Sequence, residues 1–101
     1  MIKHIVMWKL KDFAEENSKD INAKKIKEGL ESLKGKIEGL QDIEVGININ
    51  KGDQAYDVVL YSEFKTEDDL GVYQNHPEHL KIAAGFIRKV YKKRVVVDYQ
   101  V

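Results

Sequence analysis

Polar and apolar residues alternate along "IKHIVMWKL", residues 2–10. Ile2, His4, Val6, Trp8 and Leu10 fall on one side, and Lys3, Ile5, Met7 and Lys9 on the other, which predicts a strand. The segment "KDFAEENSKD" that follows is polar, with Asn17 or Ser18 suited to cap a helix. From there Ala23, Ile26, Leu30, Leu33, Ile37 and Leu40 recur at three- and four-residue steps. That single apolar stripe predicts a helix of about five turns, ended near Gly35 and Gly39.

"DIEVGININ" alternates again, with Ile43, Val45, Ile47 and Ile49 on one face. "NKGDQ" reads as a turn in which Gly52 takes the positive φ, and "YDVVLYSEF" returns as a third strand, antiparallel to the second. Thr66 caps a short helix, with Asp69 three residues on. Pro77 ends that helix at His76, because the residue before proline avoids the α region, and starts the next one. Leu80, Ala83, Ala84, Phe86, Ile87, Val90 and Tyr91 give this last helix a broad apolar face, and "RVVVDYQV" closes the chain as a strand. The order β-α-β-β-α-β, with its second helix broken once, is the ferredoxin-like split-βαβ α+β arrangement: a four-stranded antiparallel sheet with both helices on one face.

Helices on one side leave the other sheet face bare. Ile5, Met7, Val59, Tyr61 and Val96 are assigned to it, a set too apolar for a solvated surface. The expectation is a homodimer joined sheet to sheet. Size agrees. A chain of 101 residues is one domain, 1–101, that buries only about 60–65 % of its unfolded surface by itself.

Charge and cysteine content narrow the chemistry. Seventeen basic residues balance seventeen acidic ones, and no basic block is interleaved with aromatics, so no nucleic-acid partner is expected. Without cysteine there is no disulfide, thiolate nucleophile or cysteine zinc site. No segment is apolar over a membrane's width and the start is not a signal peptide, which predicts a soluble cytoplasmic protein.

The candidate chemistry lies in "VYQNHPEHLKIAAGF", residues 72–86, which holds two of the three histidines and the only proline. Metal binding needs at least three ligands, whereas His76 and His79 are two, with Pro77 between them and Glu78 on another side of the turn. No metal is expected. His79 is in register with Ala83, Phe86 and Val90, where a neutral imidazole with one hydrogen bond packs at the edge of the apolar face. His76 caps the helix start or faces water. An acid–base reading stands beside packing, because His4 shares its face with Val6 and Trp8, and Tyr73 precedes the break. Two imidazoles and a phenol could then converge between sheet and helices. Spacing alone favours packing.

The chain resembles the stress-responsive α/β-barrel domain family, known as Dabb for dimeric α/β barrel. The resemblance rests on "IKHIVMWKLKD", "YDVVLYSEFKTEDDLGVYQNHPEHLK" and "VVVDYQV", which together span nearly the full length. A His in the first strand combined with H-P-x-H after a Tyr is its most specific part. It implies the ferredoxin-like fold and a homodimer whose sheets form a barrel. The family is mixed: some members are stress-induced proteins, and one plant member is a polyketide cyclase that closes a ring by aldol condensation without a cofactor. By that resemblance the catalytic Tyr and His fall on Tyr73 and His79, and the first-strand pocket His on His4. This chain departs from the cyclase at Leu30, where the cyclase has a pocket tyrosine. It departs also at Trp8, in place of a small aliphatic residue, and at Ala83, in place of glycine.

Three functions follow as expectations. One is a cofactor-independent acid–base enzyme or small-molecule binder, with His79 and Tyr73 catalytic and His4, Val6, Trp8, Leu30 and Ala83 lining the site for a small apolar carbonyl compound. Another is a non-catalytic, stress-associated structural dimer. The third, by fold analogy, is a monooxygenase or haem-binding dimeric barrel.

Overall fold

Strand β1 (Ile2–Leu10) runs through the interior of the sheet, flanked on both sides in the computed structural model, which describes residues 1–101. Its neighbours are β3 (Val58–Phe64) and β4 (Tyr91–Gln100), and β2 (Leu40–Ile47) pairs outside β3. The order is β2-β3-β1-β4 and every pairing is antiparallel. Helices α1 (Lys19–Glu31), α2 (Glu67–Asn75) and α3 (Pro77–Ile82) connect the strands. This is the ferredoxin-like α+β fold.

Register decides which side chain faces which layer, since directly opposed residues share a face. Val6 lies opposite Leu60 and Val96, and His4 opposite Ser62 and Asp98. Val6, Leu60, Val45 and Ile43 are buried together with Ala23, Ile26 and Leu30 of α1, so this is the helix-covered face. Ile5 lies opposite Tyr61 and Val97, and Met7 opposite Val59 and Val95, which makes these the outer set. Val96 was expected on the outer face and is on the inner one. The unbroken run Val95-Val96-Val97 offers no alternation, and only pairing with β1 sets its phase. The helices cover β1, β2 and β3, while β4 supplies nothing to the buried core. Its inner side stays open.

Helix α1 is shorter than the stripe predicts. Ser18 caps it, its hydroxyl accepting from the Ile21 N–H, and it ends at Glu31. Leu33 and Ile37 are still buried, carried by turns in which Gly35 and Gly39 take φ of +81° and +89°. An apolar stripe records burial, and here burial outlasts the helix. Ahead of α1, Phe13–Ala14 and Asn17–Ser18 form a small antiparallel ribbon within the segment read as polar loop, with Glu15 and Glu16 at positive φ. The loop after β2 also differs. Gly52 is not at positive φ; side-chain oxygens of Asn48 and Asn50 accept from the N–H groups of Asn50 and Gly52 and shape the turn. Ile47 ends β2 partly exposed, and Ile49 lies beyond it, almost fully exposed.

Candidate functional site between sheet and helices

Thr66 caps α2, its hydroxyl accepting from the Asp69 N–H. At the other end Pro77 breaks the helix, and His76 has extended backbone angles. The His76 Nδ1 accepts from the Glu78 N–H at 3.1 Å, so this histidine caps α3. A helix end leaves carbonyls without intrahelical donors, and Gln74 lies in that last turn. The Nδ1–H of His79 donates to the Gln74 carbonyl at 3.2 Å. The break therefore fixes the imidazole in one tautomer, with Nε2 left to accept a proton.

His79 is half-buried. Burial lowers its basicity, the Gln74 carbonyl partly offsets this, and the charges of His4, Arg94 and His76 lower it further. It is held as the neutral base at neutral pH. Tyr73, completely buried on α2, has its ring centroid 4.3 Å from that of His79 and 6.2 Å from that of His4. Burial pushes its phenol well above the usual tyrosine range, so it stays protonated, and its hydroxyl has no hydrogen-bond partner. His4 is buried on β1, and its Nδ1–H donates to the Asp98 carboxylate across the β1–β4 pair.

Beside these rings lies a cavity of about 230 Å³ bounded by fourteen residues, nine of them hydrophobic. Of the site residues expected from sequence, His4, Val6, Trp8, Leu30, His79 and Ala83 border it. Tyr73 does not; it stands behind His79, inside the core. Four contributors escaped the sequence reading. Gln74 anchors His79, Asp98 anchors His4, and Arg88 and Arg94 stand on the cavity wall. Asp98 was legible in principle, because extending the antiparallel register from Val6–Val96 puts it opposite His4. No group of three or more His, Cys, Asp or Glu side chains is placed to hold a metal ion, and no helix is long and apolar enough to cross a membrane.

After Ile82 the last helix widens. Ala83–Ile87 is π-helical, and the Arg88 N–H reaches back five residues to the Ala83 carbonyl. A final short turn, Arg88–Val90, leads into β4. Ala83, Ala84, Ile87 and Arg88 all border the cavity from this wide turn.

A four-stranded antiparallel sheet, helices on one side and a histidine-bearing cavity between them define a ferredoxin-like α+β protein of the dimeric-barrel class. The chain belongs to the stress-responsive A/B barrel domain (Dabb) family, which it matches over residues 2–101. It is similar to a crystal structure of a dimeric ferredoxin-like protein of unknown function from Bacteroides fragilis. The identity is 37 % and the TM-score 0.87, over 99 % of this chain and 95 % of that one. A Dabb family protein from Mesorhizobium loti shares the fold at 23 % identity and TM-score 0.76, covering 99 % of this chain and 95 % of its own. So does the hydroxynitrile lyase of Passiflora edulis, at 18 % identity and TM-score 0.78, covering 99 % and 92 %. No curated protein matches the chain.

Proposed function

We propose that this is a stress-associated homodimer that binds a small, largely apolar carbonyl compound between sheet and helices and performs cofactor-independent acid–base chemistry there, with His79 as the base. One observation carries the reading: an imidazole held neutral, with Nδ1 tied to Gln74, bordering a cavity. In this scheme the free Nε2 of His79 removes a proton from carbon next to the carbonyl, and the electron pair moves to the carbonyl oxygen. His4, paired with the Asp98 carboxylate, borders the same cavity and in its imidazolium form would offer Nε2–H to that oxygen. Tyr73 is a positioning residue, packed against the far side of the base. The hydroxynitrile lyase name of a distant structural neighbour is compatible with acid–base work in this cavity, although that neighbour shares only the fold.

The outer sheet face is the proposed dimer surface. Met7, Val95, Val97 and Tyr99 are each about 40–55 % exposed there, an apolar area that a second copy would cover. The dimeric relative from Bacteroides fragilis supports this reading.

Deuterium uptake tests the chemistry. A small ketone such as acetophenone in D₂O should exchange its methyl protons faster with the protein than in buffer. His79→Gln should lose about 100-fold of that acceleration while keeping the fold. Exchange no faster than in buffer, or an undiminished rate in the variant, would leave the imidazole a packing residue.

A further inference from the structure

The chain has seventeen basic residues, and two of them are arginines, Arg88 and Arg94. Both border the cavity, reaching it from different elements. Arg88 follows the π-helical turn. Arg94 projects from the inner face of β4, directly opposite Trp8. Neither forms a salt bridge or a side-chain hydrogen bond, although eight ion pairs engage lysines and His4 elsewhere. No Asp or Glu borders the cavity, and Asp98, the carboxylate nearest in register, is taken up by His4.

Placement of Arg88 depends on the wide turn. His79 and Arg88 are nine residues apart, which puts them on opposite sides of an uninterrupted α-helix, because each residue advances about 100°. A π-helical turn absorbs one extra residue, which brings the two to within about 80° of each other. Arginine is the residue type suited to this role. Its planar, permanently charged fork grips a carboxylate by two parallel hydrogen bonds, and lysine cannot do so.

We propose that Arg88 and Arg94 clamp the carboxylate of a small organic acid whose apolar body fills the cavity beside His79. The proposal rests on the cavity's being a ligand site, as argued above, and adds the substrate class: a carboxylate-bearing carbonyl compound. A cavity of about 230 Å³ suits that size, since roughly 150 Å³ suffices for benzene. Carboxylate is favoured over phosphate because the cavity wall is mostly apolar and its fixed cations are two side chains. Charge complements the reaction as well. A guanidinium beside the cavity stabilises negative charge that develops on the substrate when His79 takes its proton.

Benzoate and benzamide, nearly equal in shape and different in charge, provide the test. Each is titrated into the full chain while the His79 ring signals are followed by NMR. Benzoate should bind at least about tenfold more tightly. Arg88→Gln and Arg94→Gln should each remove most of that preference with little effect on benzamide. Arg94→Lys, which keeps the charge without the fork, should restore only part. Both side chains are unpaired and exposed, so the variants should fold, which an unchanged Tm would establish. Equal affinity for the two probes, or a preference that survives both glutamine variants, overturns the clamp and leaves the cavity reading intact. Failure of both probes to bind overturns the two together. Inorganic phosphate that displaces benzoate at equal or lower concentration overturns the carboxylate assignment.

Discussion

The ring of Tyr73 lies against that of His79, centroids 4.3 Å apart and planes tilted by 43°, while its own hydroxyl is buried without a hydrogen-bond partner. An unpaired buried hydroxyl costs about 1–3 kcal/mol. Tyr73→Phe keeps the ring contact and removes that cost, so the variant should be more stable by about 1 kcal/mol, read as a higher Tm. If the phenol also positions the base, the variant should lose ketone exchange at the same time. A less stable variant would mean that the hydroxyl finds a partner in solution.

His79 links stability to pH. Its folded pKa is lowered by burial below the ordinary histidine value of 6.5. The unfolded chain therefore takes up its proton first as pH falls. Stability contributed by the neutral imidazole is fully present above about pH 6.5 and declines as pH drops through that value towards the folded pKa. Urea midpoints measured from pH 7.5 downward should show this decline in the wild type and a shallower one in His79→Gln. Parallel curves would contradict the assignment to His79.

Val59 sits at the middle of the outer face, opposite Met7 and beside Gly46 of β2. Val59→Arg would force a charge into a sheet-to-sheet interface and should convert the dimer to monomer in sizing chromatography, or to aggregate. A wild type that elutes as a monomer at micromolar concentration would remove the dimer altogether.

Trp8 is 4 % exposed and forms part of the cavity wall. Trp8→Ala should cost about 3–5 kcal/mol and enlarge the cavity. A larger neutral aromatic ketone should then bind better than it does to the wild type, as judged by NMR titration. Unchanged affinity would place the ligand away from Trp8.

Alternation made β1 legible at once, and Pro77 located the helix break, because both act through local chemistry that a single sequence displays. The same patterns misled where burial and secondary structure part company. Leu33 and Ile37 extend the stripe of α1 although the chain there is already turning. Val96 sits in an apolar run whose phase only β1 supplies. Within the site, His4 and His79 were visible as unusual residues on an apolar face. Their anchors Asp98 and Gln74 were not, since one depends on strand register and the other on a carbonyl that the helix break leaves over. Arg88 and Arg94 took no part in the sequence reading, and only the fold brings both to one cavity. Their rarity was the only available sign.

The wide turn at Ala83–Ile87 lets the chain carry one extra residue without separating His79 from Arg88. Gly85 lies exposed within it, and a Cβ added there would meet no neighbouring atom within 4 Å. Loss of that one residue should let the segment close into a regular α-helix with His79 and Arg88 eight residues apart, which at about 100° per residue keeps them about 80° from each other. A Gly85-deleted chain would then keep its preference for acids, which the benzoate and benzamide titrations would register. Relatives that lack one residue here would keep the pair through a regular helix, whereas a relative of full length with this turn wound as α-helix would set the two on opposite sides and lose the charge preference.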